Sequence, residues 1–442
     1  MWVATVRARR LVVGLLVVLG VAAVGRYVFR RHPPARATPD PKGEIVALVN
    51  RLLDERAQAL IRFDDGALAP HYDRSSVYGR WALEHEQRRL RYLRAWAEKR
   101  QIDLVSASSG VRVTNVRLGK DEAWVSLLQS TRLGYVYRGD PTLEKHLFGI
   151  GTRHAMQLVE QGGRWVIRRD WYTDPLDEDS LVPEVTPADV AASGGFLEPL
   201  ARAQALGGAT CSPPGDDQLA AFGLLEQVRS LGEPAPTLLA RAWQLVSGIP
   251  GEVGRFVSLA AGSGRPRQGY DREAAARYAR TYCGAAWGCG NGGRYNAEYI
   301  DYTDIGGDCT NFASQVLHAG GLPMDHSWYY RKGSGGSRAW VQTLSLLDHL
   351  LATGRAKLIA RGRFADVVKA TDRHPKGAVN ELEPGDLIGY QEKGRLVHFA
   401  PVVGRDFRGY IVVNSHTADR NAVPWDVGWD QATIFWILQV RS

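Results

Sequence analysis

In "GGDCTNFASQ" (306–315), two glycines and an acid precede Cys309, one of only four cysteines in a chain of 442 residues. From Thr310 the pattern turns helical. Phe312, Ala313, Val316 and Leu317 form one apolar stripe, and Gly320-Gly321 closes it. With Asp308 as N-cap, Cys309 falls in the first turn, where free backbone N–H groups meet the positive end of the helix dipole. That setting favours the thiolate, which is the nucleophile. The same N–H groups can hold the oxyanion of an acyl-transfer intermediate. Gly306-Gly307 let the backbone turn sharply and keep side chains away from a substrate. The chemistry open to such a cysteine is attack on a carbonyl carbon. The competing reading is a buried structural thiol.

A nucleophilic cysteine needs a base. Six histidines follow it: His318, His326, His349, His374, His398 and His416. His318 lies more than two turns along the same helix and cannot reach back. His326 and His374 sit in loop-like stretches, and His349 on an amphipathic helix. His398 stands early in the middle one of three strand-like pieces, "DLIGYQ", "LVHFAPVVG" and "YIVVNSHT". On the last piece Asn414 and His416 share a face by the period of two. An antiparallel pairing would set one of them beside the His398 ring and fix its tautomer. Asn414 lies further inside the strand and is the preferred orienter. Tyr295, Tyr299 and Tyr302 could add an oxyanion donor or a stacking surface. Trp328, Tyr329, Tyr330 and Trp340 suggest an aromatic rim, and core packing explains them equally well.

"YDREAAARYAR", "GGDCTNFASQVLHAGG", "PGDLIGY", "VHFAPVVG" and "NSHT" together resemble the bacterial putative amidase domain family, over most of residues 267–442. The pattern is also similar to the papain-like NlpC-type and CHAP cell-wall hydrolases. The resemblance implies an α+β, papain-like fold and hydrolysis of an amide bond. It carries Cys309 as nucleophile and His398 as base, and leaves the third role open between Asn414 and His416. No cofactor and no metal is expected.

The elements that would position these residues divide the chain into regions. Residues 1–31 carry the apolar run "LVVGLLVVLGVAAVG" with basic flanks, a signal peptide or signal-anchor. The only A-x-A site beyond it, "ARA" at 35–37, lies well past the run, which favours an uncleaved anchor with the bulk of the chain exported. Residues 32–42 read as an extended linker. Residues 43–180 begin with helical spacing and continue with strands. "VRVTNVRL" and "AWVSLLQST" flank the turn "GKDE", and a hairpin turns about Gly162-Gly163. That order resembles a small cone-like α+β domain of the nuclear-transport-factor type, read as a spacer or partner-binding module without an acid/base cluster. Residues 181–266 form a helical connector, and 267–442 carry the chemistry.

Outside the cytoplasm thiols tend to pair. Cys283 is therefore expected to bond to Cys289 or Cys211, leaving Cys309 free. No C-x-x-C suggests zinc. The net charge of +8 includes no Lys/Arg block of the kind that binds nucleic acid, so no nucleic-acid partner is expected. The reading that follows is an exported cysteine amidase or peptidase acting on peptidoglycan stem peptides. The alternatives are a silent envelope-binding protein with an amidase-like fold, or an acyltransferase.

Overall fold

The computed structural model describes residues 40–64, 66–172, 174, 176, 186–198, 201, 269–303, 306–429 and 431–441. The apolar run at 11–29, Cys211 and the helical stretches expected at 217–231 and 237–249 lie outside these. Among the described residues no helix is long and apolar enough to cross a membrane.

The first region opens with α1 (Pro41–Arg62) and α2 (Val77–Arg100). Ser76 caps α2, its hydroxyl accepting from the Tyr78 N–H, which satisfies one orphan donor of the first turn. Four antiparallel strands follow: β1 (Ile102–Leu118), β2 (Glu122–Tyr137), β3 (His146–Gln161) and β4 (Arg164–Trp171). Gly162 and Gly163 join the last two, both at positive φ (59° and 77°), as a two-residue primed turn requires. A short helix, α3 (Pro187–Ala192), comes next.

The second region begins with α4 (Arg272–Thr281) and α5 (Cys309–Ala319). A two-stranded ribbon, β5 (Tyr330–Arg331) with β6 (Gly335–Gly336), leads to α6 (Arg338–Val341), α7 (Thr343–Ala352), β7 (Ala356–Gly362) and α8 (Phe364–Val368). Then come β8 (Leu387–Glu392), β9 (Arg395–Arg405), β10 (Ile411–Ser415), β11 (Asp419–Pro424) and β12 (Ile434–Val440). Helices with antiparallel strands make an α+β chain, as expected. The β10–β11 hairpin was not anticipated.

Both regions share one sheet, ordered β1-β2-β3-β11-β10-β9-β8-β12-β7, with β4 also on β3. The C-terminal half of β3 pairs with β4, while Gly149–Gly151 near its start pair with Asp419–Asn421 of β11. Those glycines are needed. A Cβ at Gly149 would strike the Trp287 carbonyl, and one at Gly151 the backbone of Ala285 and Ala286. Ala47–Ser442 form one compact unit, so the first region is not a separate spacer.

The second region's sheet has two faces. Ile388, Tyr390, Ala400, Val402, Val413 and Phe435 share one buried cluster. Leu387, Phe399 and Leu438 lie on the other face with Ala313 and Leu317 of α5, while Val403 and Val412 meet Phe312 and Val316. Each such side chain contributes about 1.5–3 kcal/mol on burial, so α5 is held along its length. Trp328 and Trp340 are fully buried. Their indole N–H groups donate to Ser314 Oγ (3.0 Å) and Asn311 Oδ1 (2.8 Å). These two tryptophans are core, not rim.

Beneath β1–β4 lies what the sequence did not suggest, a buried charge cluster. Arg56 pairs with Glu86 and with Asp170 (2.7 Å), and Arg89 with Glu86 (2.8 Å) and Asp174 (2.5 Å). His154 holds Asp170 at 2.8 Å, and His85 faces Asp174 at 3.2 Å.

Candidate active site at the start of α5

Gly306 and Gly307 have φ of 116° and 107°, a region closed in practice to side-chain-bearing residues. They reverse the chain into Asp308. Asp308 is the N-cap residue, but its carboxylate does not cap the helix. Oδ1 accepts from the Tyr302 N–H (2.9 Å) and from Asn311 Nδ2 (2.8 Å). Oδ2 faces His416 Nδ1 at 2.5 Å. Its own N–H donates to Thr417 Oγ1 (2.6 Å). The turn before the nucleophile is thus held from three directions.

Cys309 is the first residue of α5 and fully buried, its sulfur 3.6 Å from Thr310 Oγ1. It is not free. Cys283 and Cys289 are bonded to each other, one of the two expected pairings. Cys309 is disulfide-bonded as well. The expectation of a free thiol is corrected accordingly.

His416 is sandwiched between Tyr295 (centroids 3.6 Å apart) and Phe312 (3.8 Å). Its Nε2 lies 2.6 Å from the Tyr282 carbonyl. A carbonyl only accepts, so Nε2 donates to it, and Nδ1 faces the Asp308 carboxyl. Burial pushes the Asp308 carboxyl above its ordinary range, while the His416 hydrogen bond pulls it back in part. A second acid sits close by. Tyr295 donates its hydroxyl to Asp419 Oδ1 (2.5 Å), and Asp419 Oδ2 accepts from the Ala285 N–H (2.7 Å). Asp419 too is pushed up by burial.

Asn414 and His416 point to one face, as the period of two requires. Neither orients His398. The Asn414 amide donates to the Ala279 carbonyl (3.1 Å) and Asn421 Oδ1 (3.1 Å) and accepts from the Ala422 N–H (2.8 Å). Both ring nitrogens of His416 are engaged as described. His398 pairs with Tyr390 across β8–β9 and so shares the face of Tyr390, Ala400 and Val402, opposite to Phe399. Its ring lies against Tyr390 (5.6 Å) and Trp429 (5.5 Å). Burial, with help from Arg420, pushes it well below the ordinary histidine value, so it is neutral at neutral pH.

Of the three tyrosines, Tyr295 reaches the Asp308–His416 pair. Tyr299 stacks on Trp340 (6.0 Å), and Tyr302 accepts from the Gly336 N–H (3.1 Å). The sequence reading missed the Asp308–His416 bond and Asp419. The signal available was the run "NSHTAD", which places His416 and Asp419 within one tight turn. Among the described residues no cluster of three or more His, Cys, Asp or Glu could hold a metal ion.

Over 163 residues, 35% of this chain, the sequence is 31% identical to the uncharacterized protein YhbB of Bacillus subtilis strain 168. The match spans 44% of that protein, less than half its length. Two solved structures resemble parts of the chain. One is described as a putative NTF2-like transpeptidase from Campylobacter jejuni. It is 12% identical, covering 29% of this chain and 98% of that one at a TM-score of 0.15. The other is Rv3472 of Mycobacterium tuberculosis, a protein of unknown function. It is 18% identical, covering 38% and 95% at a TM-score of 0.21. Residues 269–438 match the family model described as a putative amidase domain. Residues 269–438, which include Cys309, Asp308 and His416, are thus similar to the putative amidase domain family.

Proposed function

We propose that this domain hydrolyses amide bonds with Cys309 as nucleophile and a histidine as base. One observation carries the reading. In a domain similar to the amidase family, the single cysteine that opens a helix is preceded by two glycines in the left-handed region and a buried acid–histidine pair. The reduced thiolate attacks the amide carbonyl, and the N–H groups at the start of α5 receive the oxyanion. The leaving amine takes a proton from the imidazolium, and water clears the thioester. His398 is held neutral, the form that accepts a proton, but it lies on the sheet face opposite α5. His416 has both nitrogens engaged. Because Cys309 lies in a disulfide, its reduction must precede the first turnover.

The substrate proposed is a peptidoglycan stem peptide, with the chain exported and held by its N-terminal apolar run. The Cys283–Cys289 bond fits an oxidising compartment. The test is incubation of the full chain, with and without reductant, with purified peptidoglycan, followed by mass analysis. New amine and carboxyl ends that depend on reductant and vanish in Cys309→Ala support the reading. Intact peptidoglycan removes the substrate.

A second reading has its own support. The disulfide at Cys309 and the apolar setting of His398 also suit a silent envelope-binding domain. Such a protein would bind peptidoglycan equally well as Cys309→Ala and release nothing. Products joined to an added amine rather than to water would mark an acyltransferase.

A further inference from the structure

We propose that Arg153, on β3 of the first region, is a positioning residue for the Cys309 turn. The inference rests on Cys309 being the reactive residue. Two residues after Gly151 locks β3 onto β11, Arg153 Nη2 donates to Asp301 Oδ2 at 2.8 Å. Its guanidinium lies 5.3 Å from the centre of the Tyr295 ring.

Both contacts run to Asp308, the residue before Cys309. On one route, Asp301 Oδ1 accepts from the Thr303 N–H (2.9 Å), which fixes the bend around Tyr302. Tyr302 then donates its N–H to Asp308 Oδ1 (2.9 Å) and accepts from the Gly307 N–H (3.0 Å). On the other route, Tyr295 stacks on His416, which holds Asp308 Oδ2. Burial raises the Asp301 carboxyl, but Arg153 and the Thr303 hydrogen bonds together hold the group below its ordinary range. A charged Asp301 is therefore kept beside the turn. The charged and titratable groups around the turn are Arg153, Asp301, Asp308, His416, Tyr295 and Asp419.

A plain inter-region ion pair would behave differently. The Arg153 and Asp301 side chains are 37% and 41% exposed, and exposed pairs contribute little to stability. Losing this one should move Tm by no more than about 2–3 °C. A positioning role predicts instead a change at Cys309 without a loss of fold, because small misplacements of reacting groups carry large kinetic costs.

The experiment uses the reduced full chain and reads the rate of Cys309 alkylation by iodoacetamide against pH, by peptide mass analysis. This readout needs no substrate, so it is separate from the amidase reading. Arg153→Met should slow alkylation at neutral pH by about fivefold or more and displace the pH profile, as expected when a thiolate's setting changes. Arg153→Lys, which keeps the charge, should recover most of the rate. An Arg153→Met profile that overlays the wild type would overturn the inference and leave the amidase proposal standing. Equal damage in Arg153→Met and Arg153→Lys would also overturn it, since charge would then not matter. If Arg153→Met lowers Tm beyond the stated range, Asp301→Asn is the companion variant. It must reproduce the same profile for the inference to hold.

Discussion

The two regions bury their acids in opposite ways. In the first, burial pushes Glu86 up, but Arg56 and Arg89 outweigh it and hold the carboxyl at about 2. Asp170 and Asp174 are likewise held below the ordinary range against burial, with His154 and Arg56 acting on the first and Arg89 on the second. Beside His416 in the second region burial wins. Asp308 and Asp419 rise above the ordinary range although His416 opposes it at both. One region has two buried arginines per cluster and commits its charges to structure. The other sets a buried acid against a buried histidine, beside a cysteine that opens a helix. Shifts of the second kind gather at functional sites more often than fully neutralised networks do.

The largest expected effect removes a member of the neutralised network. Arg56→Met leaves Glu86 and Asp170 facing each other with less countercharge, and should destabilise the chain by about 3–5 kcal/mol, read by urea denaturation. A loss under about 1 kcal/mol would show that the network is not the fully buried kind drawn here. Next is Gly149→Ala. A Cβ there meets backbone at Trp287 rather than a movable side chain. The expected cost is about 1–3 kcal/mol, with increased hydrogen exchange in β11. Unchanged exchange would argue against the shared sheet.

A third variant concerns the Asp308–His416 pair. His416→Ala leaves Asp308 buried without its partner and should slow Cys309 alkylation about tenfold at neutral pH, of the order seen when a supporting group is lost. Asn414→Ala should change it little, since that amide ties β10 to α4 and β11. The reverse order would return the orienting role to Asn414.

The smallest effect is in pH. The folded value of Glu86 lies below its ordinary 4.5, so its contribution is complete above about pH 4.5 and disappears as pH falls toward about 2. His398 is pushed below 6.5, so the unfolded chain binds the extra proton first, and stability falls as pH drops below about 6.5. Hydrogen exchange should therefore quicken in β9 near pH 6 while β4 stays protected to below pH 4.5. Simultaneous loss would erase the contrast.

Local pattern carried much of this into the sequence. The β1–β2 and β3–β4 hairpins were readable from Gly-centred turns, and α5 from its apolar stripe, because each depends on neighbours in sequence. The Asp308–His416 bond spans 108 residues and the β3–β11 pairing more than 250. No local period encodes contacts at such separations. Arg56 and Glu86 look like ordinary surface charges on amphipathic helices until β4 brings Asp170 over them. His398 was read correctly as a strand residue. Its face was not, because register with β8 decides which way a strand residue points.

The central claim is that reduced Cys309 forms an acyl intermediate, and intact-mass analysis of a single turnover tests it most directly. The reduced full chain is mixed with a peptidoglycan stem peptide or an activated amide and quenched in acid. A mass increase equal to the acyl group, mapped to the Cys309 peptide, present only with reductant and absent in Cys309→Ala, is the predicted result. Product formed with Cys309 unmodified, or equal turnover by Cys309→Ala, would contradict it.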